Sequence, residues 1–233
     1  MNYKFTETQK NDIIEQWGNG FDLKILNEIK IYSEKWKLYD FEFVDYYSVN
    51  AIFFCKSELY GECVLKIGGL NTIEECKAEC DMLREYETSG KFCKLLECDI
   101  KNKIMLIERI FPGKRLKEEP SLEKRLAVFS ELYNGLHIEP ENPAIYNTYV
   151  KCMNDVEKRM RGQEDFKETY IHVLRAKSLI EEISAVYDKK ALLHADLHYD
   201  NILLDSDGTY KIIDPQGVIG SSVFETGRYI LNE

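Results

Sequence analysis

The sequence has no excess of positive charge. Its 31 lysines and arginines are outnumbered by 41 aspartates and glutamates, a formal net charge of -10. The basic footprint that binds nucleic acid is missing, so a nucleic-acid partner is not expected. Nor is there a long apolar run. No stretch approaches the roughly 20 residues of a membrane-spanning helix, so no membrane partner is expected either. The opening residues Met1-Asn2-Tyr3-Lys4-Phe5-Thr6 lack the apolar segment of a signal peptide. The cysteines are odd in number, at Cys55, Cys63, Cys76, Cys80, Cys93, Cys98 and Cys152, and none form a C-x-x-C pair. That argues against a disulfide framework or a zinc ribbon and points to the reducing cytoplasm. Cys76 and Cys80 have helical spacing, so a metal site with Cys93 and Cys98 can be drawn. Cysteines so placed more commonly serve as small hydrophobes. Internal repeats and low-complexity tracts are absent.

What is present is an ordinary apolar fraction, 44% of 233 residues. That supports one domain or two small lobes with a proper core. Residues 6–38 read as two helices broken near Gly18-Asn19-Gly20. The second carries Leu23, Leu26, Ile29, Tyr32 and Trp36 at helical steps, a face suited to covering a sheet. Strands are expected at 41–47, 51–56 and 63–67. A helix over 72–86 comes next, with a capping box at Thr72 and Glu75. A hairpin over 92–99 and 104–110 then completes five strands. Phe111-Pro112-Gly113 breaks the pattern. Beyond it, helices are expected at 121–136, 144–161 and 164–187, the last leading into a loop near residue 196. The organisation expected is a helical segment over 1–40, a first lobe over 41–111 and a helical second lobe over 112–233.

That loop is the richest chemical stretch. Leu192-Leu193-His194-Ala195-Asp196-Leu197-His198-Tyr199-Asp200-Asn201 places a carboxylate and a carboxamide on one loop. The turn Asp205-Ser206-Asp207-Gly208-Thr209, between Ile202-Leu203-Leu204 and Tyr210-Lys211-Ile212-Ile213, reads as a hairpin. The hairpin returns Asp214 to the neighbourhood of Asn201. An oxygen-rich corner of Asn201 and Asp214 suits Mg²⁺, leaving Asp196 to orient or deprotonate a hydroxyl. This is the layout of a kinase catalytic loop followed by a metal-binding aspartate. Lys66 lies in an apolar strand, and Glu74, Glu75 and Glu79 lie on the next helix. Glu79 is the expected partner, since it precedes Leu83 on one helical face and lies deep enough in the helix to face the sheet, with Glu75, a candidate cap, as the alternative.

Val64-Leu65-Lys66-Ile67-Gly68, Met105-Leu106-Ile107-Glu108-Arg109 with Pro112-Gly113, and the Asp196 loop resemble the aminoglycoside phosphotransferase group. Asp214-Pro215-Gln216-Gly217-Val218-Ile219-Gly220 and Glu225-Thr226-Gly227-Arg228 are similar to its streptomycin 6-phosphotransferase and hydroxyurea phosphotransferase branch. The resemblance implies an α+β, protein-kinase-like fold of two lobes, with ATP in the cleft. The first lobe would hold a five-stranded antiparallel sheet and one helix, and the second would be mostly helical. It implies Asp196 as the catalytic carboxylate and Asn201 and Asp214 as Mg²⁺ ligands. Lys66 would hold the α- and β-phosphates, braced by Glu79. Backbone groups of Glu108 to Ile110 would bond adenine. The acceptor implied is a small-molecule hydroxyl, with an aminoglycoside such as streptomycin leading. The acidic balance suits a cationic acceptor. Antibiotic resistance would be the physiological role.

The loop Asp45-Tyr46-Tyr47-Ser48-Val49-Asn50 departs from the pattern, lacking G-x-G-x-x-G. Ser48, Asn50 and backbone N–H groups are left to cover the phosphates. The chain also stops at Glu233, where the family continues into further helices, which reads as a truncated C-terminus. Rival readings are a kinase of another metabolite alcohol and a nucleotide-binding pseudokinase. The presence of Lys66, Asp196, Asn201 and Asp214 speaks against the latter.

Overall fold

Thr6 opens the first helix, α1 (Glu7–Trp17), through a reciprocal capping box with Gln9. The structure is a computed structural model and describes residues 3–44 and 49–231. The chain divides into two compact units, Met1–Gly113 and Lys114–Glu233.

In the first unit, Gly18 and Gly20 break the helix and α2 (Phe21–Trp36) begins. Its inward stripe is Ile25, Ile29, Tyr32 and Trp36, while Leu23 is 67% exposed. The expected stripe therefore began at the wrong leucine. At about 100° per residue, Ile25 lies within about 40° of Ile29, whereas Leu23 lies about 120° away. Lys37 ends the helix in the left-handed region, so β1 (Leu38–Val44) begins earlier than expected.

The strands β2 (Asn50–Ser57), β3 (Gly61–Gly68), β4 (Leu95–Asp99) and β5 (Ile104–Glu108) complete one antiparallel sheet, ordered β1-β2-β3-β5-β4. Phe53, Leu65 and Leu106 pack in the core beneath α1 and α2. Burying a side chain such as Phe53 contributes roughly 1.5–3 kcal/mol. Tyr32 ties α2 to β4 by donating its hydroxyl to Asp99 Oδ2 at 2.8 Å. Asn102 donates to the same oxygen at 3.1 Å.

The opposite face is ordered in rows by the register. Ile52, Lys66 and Met105 form one row, and Phe54, Val64 and Ile107 the next. Lys56 and Glu62 pair beyond them, and Arg109 joins through its N–H to the Glu62 carbonyl. Residues paired directly across strands share a face, so this side grades from charged through apolar to Lys66. Helix α3 (Ile73–Glu85) carries the expected capping box of Thr72 and Glu75.

The second unit opens in β6 (Pro112–Arg115), whose last two residues belong to it. Helix α4 (Leu122–Tyr133) comes next. The helix expected from Ala144 starts later, as α5 (Tyr149–Met160). Pro143 sets a short 3-10 turn, Asn147 and Thr148 form β7 (Asn147–Thr148), and Thr148 caps the helix. Helix α6 (Lys167–Val186) does not run straight into the loop. Buried β8 (Ala191–Leu193) intervenes. The expected hairpin is β9 (Ile202–Asp205) and β10 (Tyr210–Ile212), with β6 as a third strand on β9. The Gly217-Val218-Ile219-Gly220 run supplies β11 (Val218–Gly220), which pairs antiparallel with β8 and parallel with β7. The unit ends in α7 (Val223–Ile230). A helix of eight residues is marginal alone. Here Tyr229 stacks on Phe129 at 3.7 Å and Phe224 on Tyr149 at 4.4 Å.

Candidate active site

Strand β3 delivers Lys66 to the graded face of the first unit. The Lys66 ammonium donates to Glu79 Oε1 on α3, and both residues are buried. Glu75 is occupied by the cap of α3, so the two acidic residues divide as expected between capping and pairing. A buried lysine with a carboxylate on its flank is held extended, which suits an ammonium meant to meet phosphate oxygens.

At the end of β5 the N–H of Glu108 goes to the Lys94 carbonyl (2.9 Å) and that of Arg109 to the Glu62 carbonyl (3.3 Å). The Glu108 carboxylate accepts from the Lys94 N–H at 3.1 Å. Neither of these two N–H groups is available to a base. Among the candidate contacts of this segment, the Ile110 N–H is the donor that remains. Arg109 lays its guanidinium 3.9 Å over the Phe54 ring. A cavity of about 560 Å³ opens here, lined by Phe54, Glu62, Arg109 and Phe111 among others. Lys66 does not line it. Ser48 lies outside the described residues.

In the second unit, β8 launches the loop that holds Asp196. Buried His194 ties its parts together. Its Nδ1 accepts the Asp196 N–H at 3.1 Å, so its Nε2 carries the proton and donates to the Ile213 carbonyl at 2.8 Å. The His194 carbonyl accepts from Gln216. His194 is thus a hydrogen-bonding residue. The next residue, Ala195, sits at φ 64°, a conformation rare outside glycine. Glu225 of α7 holds it there, accepting from the N–H groups of His194 (2.7 Å) and Ala195 (3.0 Å). The Glu225 side chain is wholly buried, so the bond to the buried His194 is made away from water.

Asn201 donates its side-chain N–H to the Asp196 carbonyl at 3.1 Å, and its own backbone carbonyl accepts from Ile213 at 3.0 Å. The second bond brings the hairpin back beside the loop. Asp214 comes directly after Ile213, at φ 58°. Backbone outliers of this sort collect at functional sites. With its amide nitrogen committed to the Asp196 carbonyl, Asn201 presents its carboxamide oxygen, and Asp214 is a carboxylate that follows the returning hairpin. Such a hard-oxygen pair fits Mg²⁺, which fills its shell with water and phosphate oxygens. Among the described residues no group of three or more His, Cys, Asp and Glu side chains forms a metal cage. The drawn cysteine site is therefore not formed, and no disulfide joins any of the seven cysteines.

The Asp196 carboxylate is held on both sides. Arg228 Nε donates to Oδ1 at 2.7 Å, and His198 Nε2 lies 3.6 Å from Oδ2. Burial pushes its pKa up, but the nearby His198 imidazole and the Arg228 bond outweigh burial and hold the carboxyl below its ordinary value. Lys117 and Arg115 lie 2.5 and 3.5 Å from Asp200 Oδ1, anchoring the middle of the loop. Sequence reasoning gave Glu225 and Arg228 no role. The signal was a Glu-x-x-Arg pair on a short helix, whose i,i+3 spacing puts both side chains on one face.

The family model described as aminoglycoside/hydroxyurea antibiotic resistance kinase matches residues 60–233. The streptomycin 6-kinase of Streptomyces griseus is 27% identical over 160 residues, 65% of this chain and 50% of that enzyme. The chain thus spans about half the length of that curated relative. Among solved structures, the choline kinase LicA from Streptococcus pneumoniae superposes with a TM-score of 0.67 at 17% identity. That match covers 87% of this chain and 74% of LicA. The aminoglycoside phosphotransferase APH(4)-Ia, in a ternary complex with ADP and hygromycin B, gives 0.62 at 14% identity, over 85% of this chain and 74% of that one. These likenesses show a kinase-like fold. No helix among the described residues is long and apolar enough to cross a membrane. The loop from His194 to Asn201, the returning Asp214 and the buried Lys66–Glu79 pair all lie within the matched span, and on that match the chain belongs to the aminoglycoside/hydroxyurea antibiotic resistance kinase family.

Proposed function

We propose that this chain transfers the γ-phosphate of ATP to a hydroxyl of a small molecule, with an aminoglycoside such as streptomycin as the leading acceptor. The observation that carries the reading is the fixed carboxylate of Asp196 on a loop that also holds Asn201 beside the return of Asp214. Lys66, steadied by Glu79, binds phosphate oxygens. Asn201 and Asp214 would hold Mg²⁺, which when bound would offset phosphate charge. Asp196 aligns the acceptor hydroxyl and receives its proton. The bond that forms joins the acceptor oxygen to the γ-phosphorus. The bond that breaks is the one to the β–γ bridging oxygen, which leaves with ADP. Such transfer depends on positioning and charge more than on covalent chemistry from the protein. The net charge of -10 supports a cationic acceptor, drawn in at long range.

The test is ADP formation from Mg-ATP in the presence of streptomycin, hydroxyurea or choline, with Asp196→Ala as control. Acceptor-dependent ADP that Asp196→Ala abolishes is the expected result. Activity with choline alone would move the acceptor to a metabolite alcohol. Mg-ATP binding with no turnover on any acceptor would favour a nucleotide-binding scaffold.

A further inference from the structure

Asp196 has two carboxylate oxygens, and they are not equivalent. Oδ1 accepts from Arg228 Nε at 2.7 Å. Oδ2 faces His198 Nε2 across 3.6 Å, beyond a normal hydrogen bond. The His198 ring is itself fixed, because its Nδ1 accepts the Asp200 N–H at 3.3 Å. Arg228 is fixed as well. It sits on α7 three residues after Glu225, which grips the backbone of the same loop. Tyr229, next along, stacks on Phe129 and donates its hydroxyl to the Arg125 carbonyl at 3.2 Å. One helix face therefore holds both the loop's backbone and its carboxylate.

We propose that Arg228 is a positioning residue for Asp196, engaging Oδ1 so that Oδ2, on the His198 side, is the oxygen that meets the acceptor hydroxyl. The proposal rests on the phosphotransfer reading of the site. A carboxylate turns about its last torsion in a broad, two-fold well. A directional N–H donor on one oxygen removes that freedom and aims the other. A cation in contact also makes the carboxylate a weaker proton acceptor. This arrangement therefore favours alignment of the hydroxyl over forceful deprotonation, which suits a loose phosphoryl-transfer transition state. His198 then lies on the side of the carboxylate that the acceptor oxygen takes up.

The test compares Arg228→Gln and Arg228→Lys with the unchanged chain. Carbodiimide labelling of Asp196, read by mass spectrometry, reports whether the carboxylate is held. ADP formation with streptomycin as probe reports the effect on transfer, and Mg-ATP affinity and melting temperature are followed alongside. Arg228→Gln should raise labelling several-fold and lower kcat roughly 10- to 100-fold, as misaligned groups do, with smaller changes in acceptor KM. Mg-ATP affinity should stay within about twofold, since Arg228 is assigned no phosphate contact. Arg228→Lys, which keeps a cationic donor where Gln offers only a neutral amide N–H, should recover part of both readouts. Unchanged labelling in Arg228→Gln overturns the proposal, and so does a kcat that is unchanged or raised. Equal losses in both variants that follow the melting temperature would mean that Arg228 only supports the fold, and would also overturn it. If the unchanged chain turns over no streptomycin, the acceptor reading fails, and labelling alone decides whether Arg228 holds the carboxylate.

Discussion

Lys66 on β3 gives its ammonium to Glu79 on α3, and both side chains are shut away from water. Removing one partner of a buried pair strands the other, at a cost of about 3–5 kcal/mol. Lys66→Ala and Glu79→Ala should each lower stability and weaken nucleotide binding. The double variant should cost much less than the two losses added, because the residues act on each other. Glu75→Ala should lose about 1 kcal/mol of cap and leave nucleotide affinity alone. Denaturant unfolding with nucleotide titration checks all four. Additive losses for Lys66 and Glu79 would dissolve the partnership.

Glu225 offers a second measurement. Truncation to Ala leaves the N–H groups of His194 and Ala195 without acceptors, at about 1–3 kcal/mol each. Glu225→Ala should therefore cost about 2–6 kcal/mol and erase turnover. Glu225→Gln is not conservative here, since its amide N–H₂ would face a backbone N–H. It should recover less stability than Glu225→Asp. Equal stability of the three variants would show that the double bond does not hold the loop.

Asp196 and Asp214 separate by role. Asp196→Ala should abolish turnover and leave Mg-nucleotide affinity nearly unchanged. Asp214→Ala should raise the Mg²⁺ needed for half-saturation by roughly tenfold or more. Titrating Mg²⁺ at fixed nucleotide measures this. Equal effects would undo the division between hydroxyl and metal.

Acid should find the Tyr32–Asp99 bond. Burial raises the Asp99 carboxyl, but the bonds from Tyr32 and Asn102 prevail and hold it below its ordinary value. A carboxyl lowered on folding adds stability that is complete above its unfolded pKa of about 3.9. The contribution disappears as pH falls through the folded value. Tyr32→Phe removes the phenol donor, so the stability lost between pH 6 and pH 3 should shrink. Unfolding at both pH values tests it, and an undiminished acid loss would assign the sensitivity elsewhere.

Much of the framework could be read from residue order. The capping box at Thr72 and Glu75, the hairpin turn at 205–209 and the break at Gly18-Asn19-Gly20 are local signals, carried by side chains that act within a few residues. Leu192-Leu193 and Val218-Ile219 were harder. Each run is too short to show a period, and β8 and β11 pair with partners 25 to 29 positions away along the chain. Leu23 and Ile25 are both apolar, and only packing against the sheet decides which faces inward. In the candidate site, the proposed roles of Asp196, Asn201 and Asp214 were legible because their order along the chain matches that of a kinase loop. Arg228 was not, since nothing near it in sequence says which carboxylate it will meet.

The alternation along β2 and β3 joins two demands that are usually weighed apart. Phe53 and Leu65 face the core under the helices, while Phe54 and Lys66 face the other side. A pairing slip of one residue would exchange the faces. A slip of β3 would drive Lys66 into hydrocarbon and turn Leu65 out to the opposite face. Such a misfolded sheet is penalised by the stranded ammonium long before any substrate arrives. The lysine read as a phosphate ligand thus also adds a cost to the shifted register.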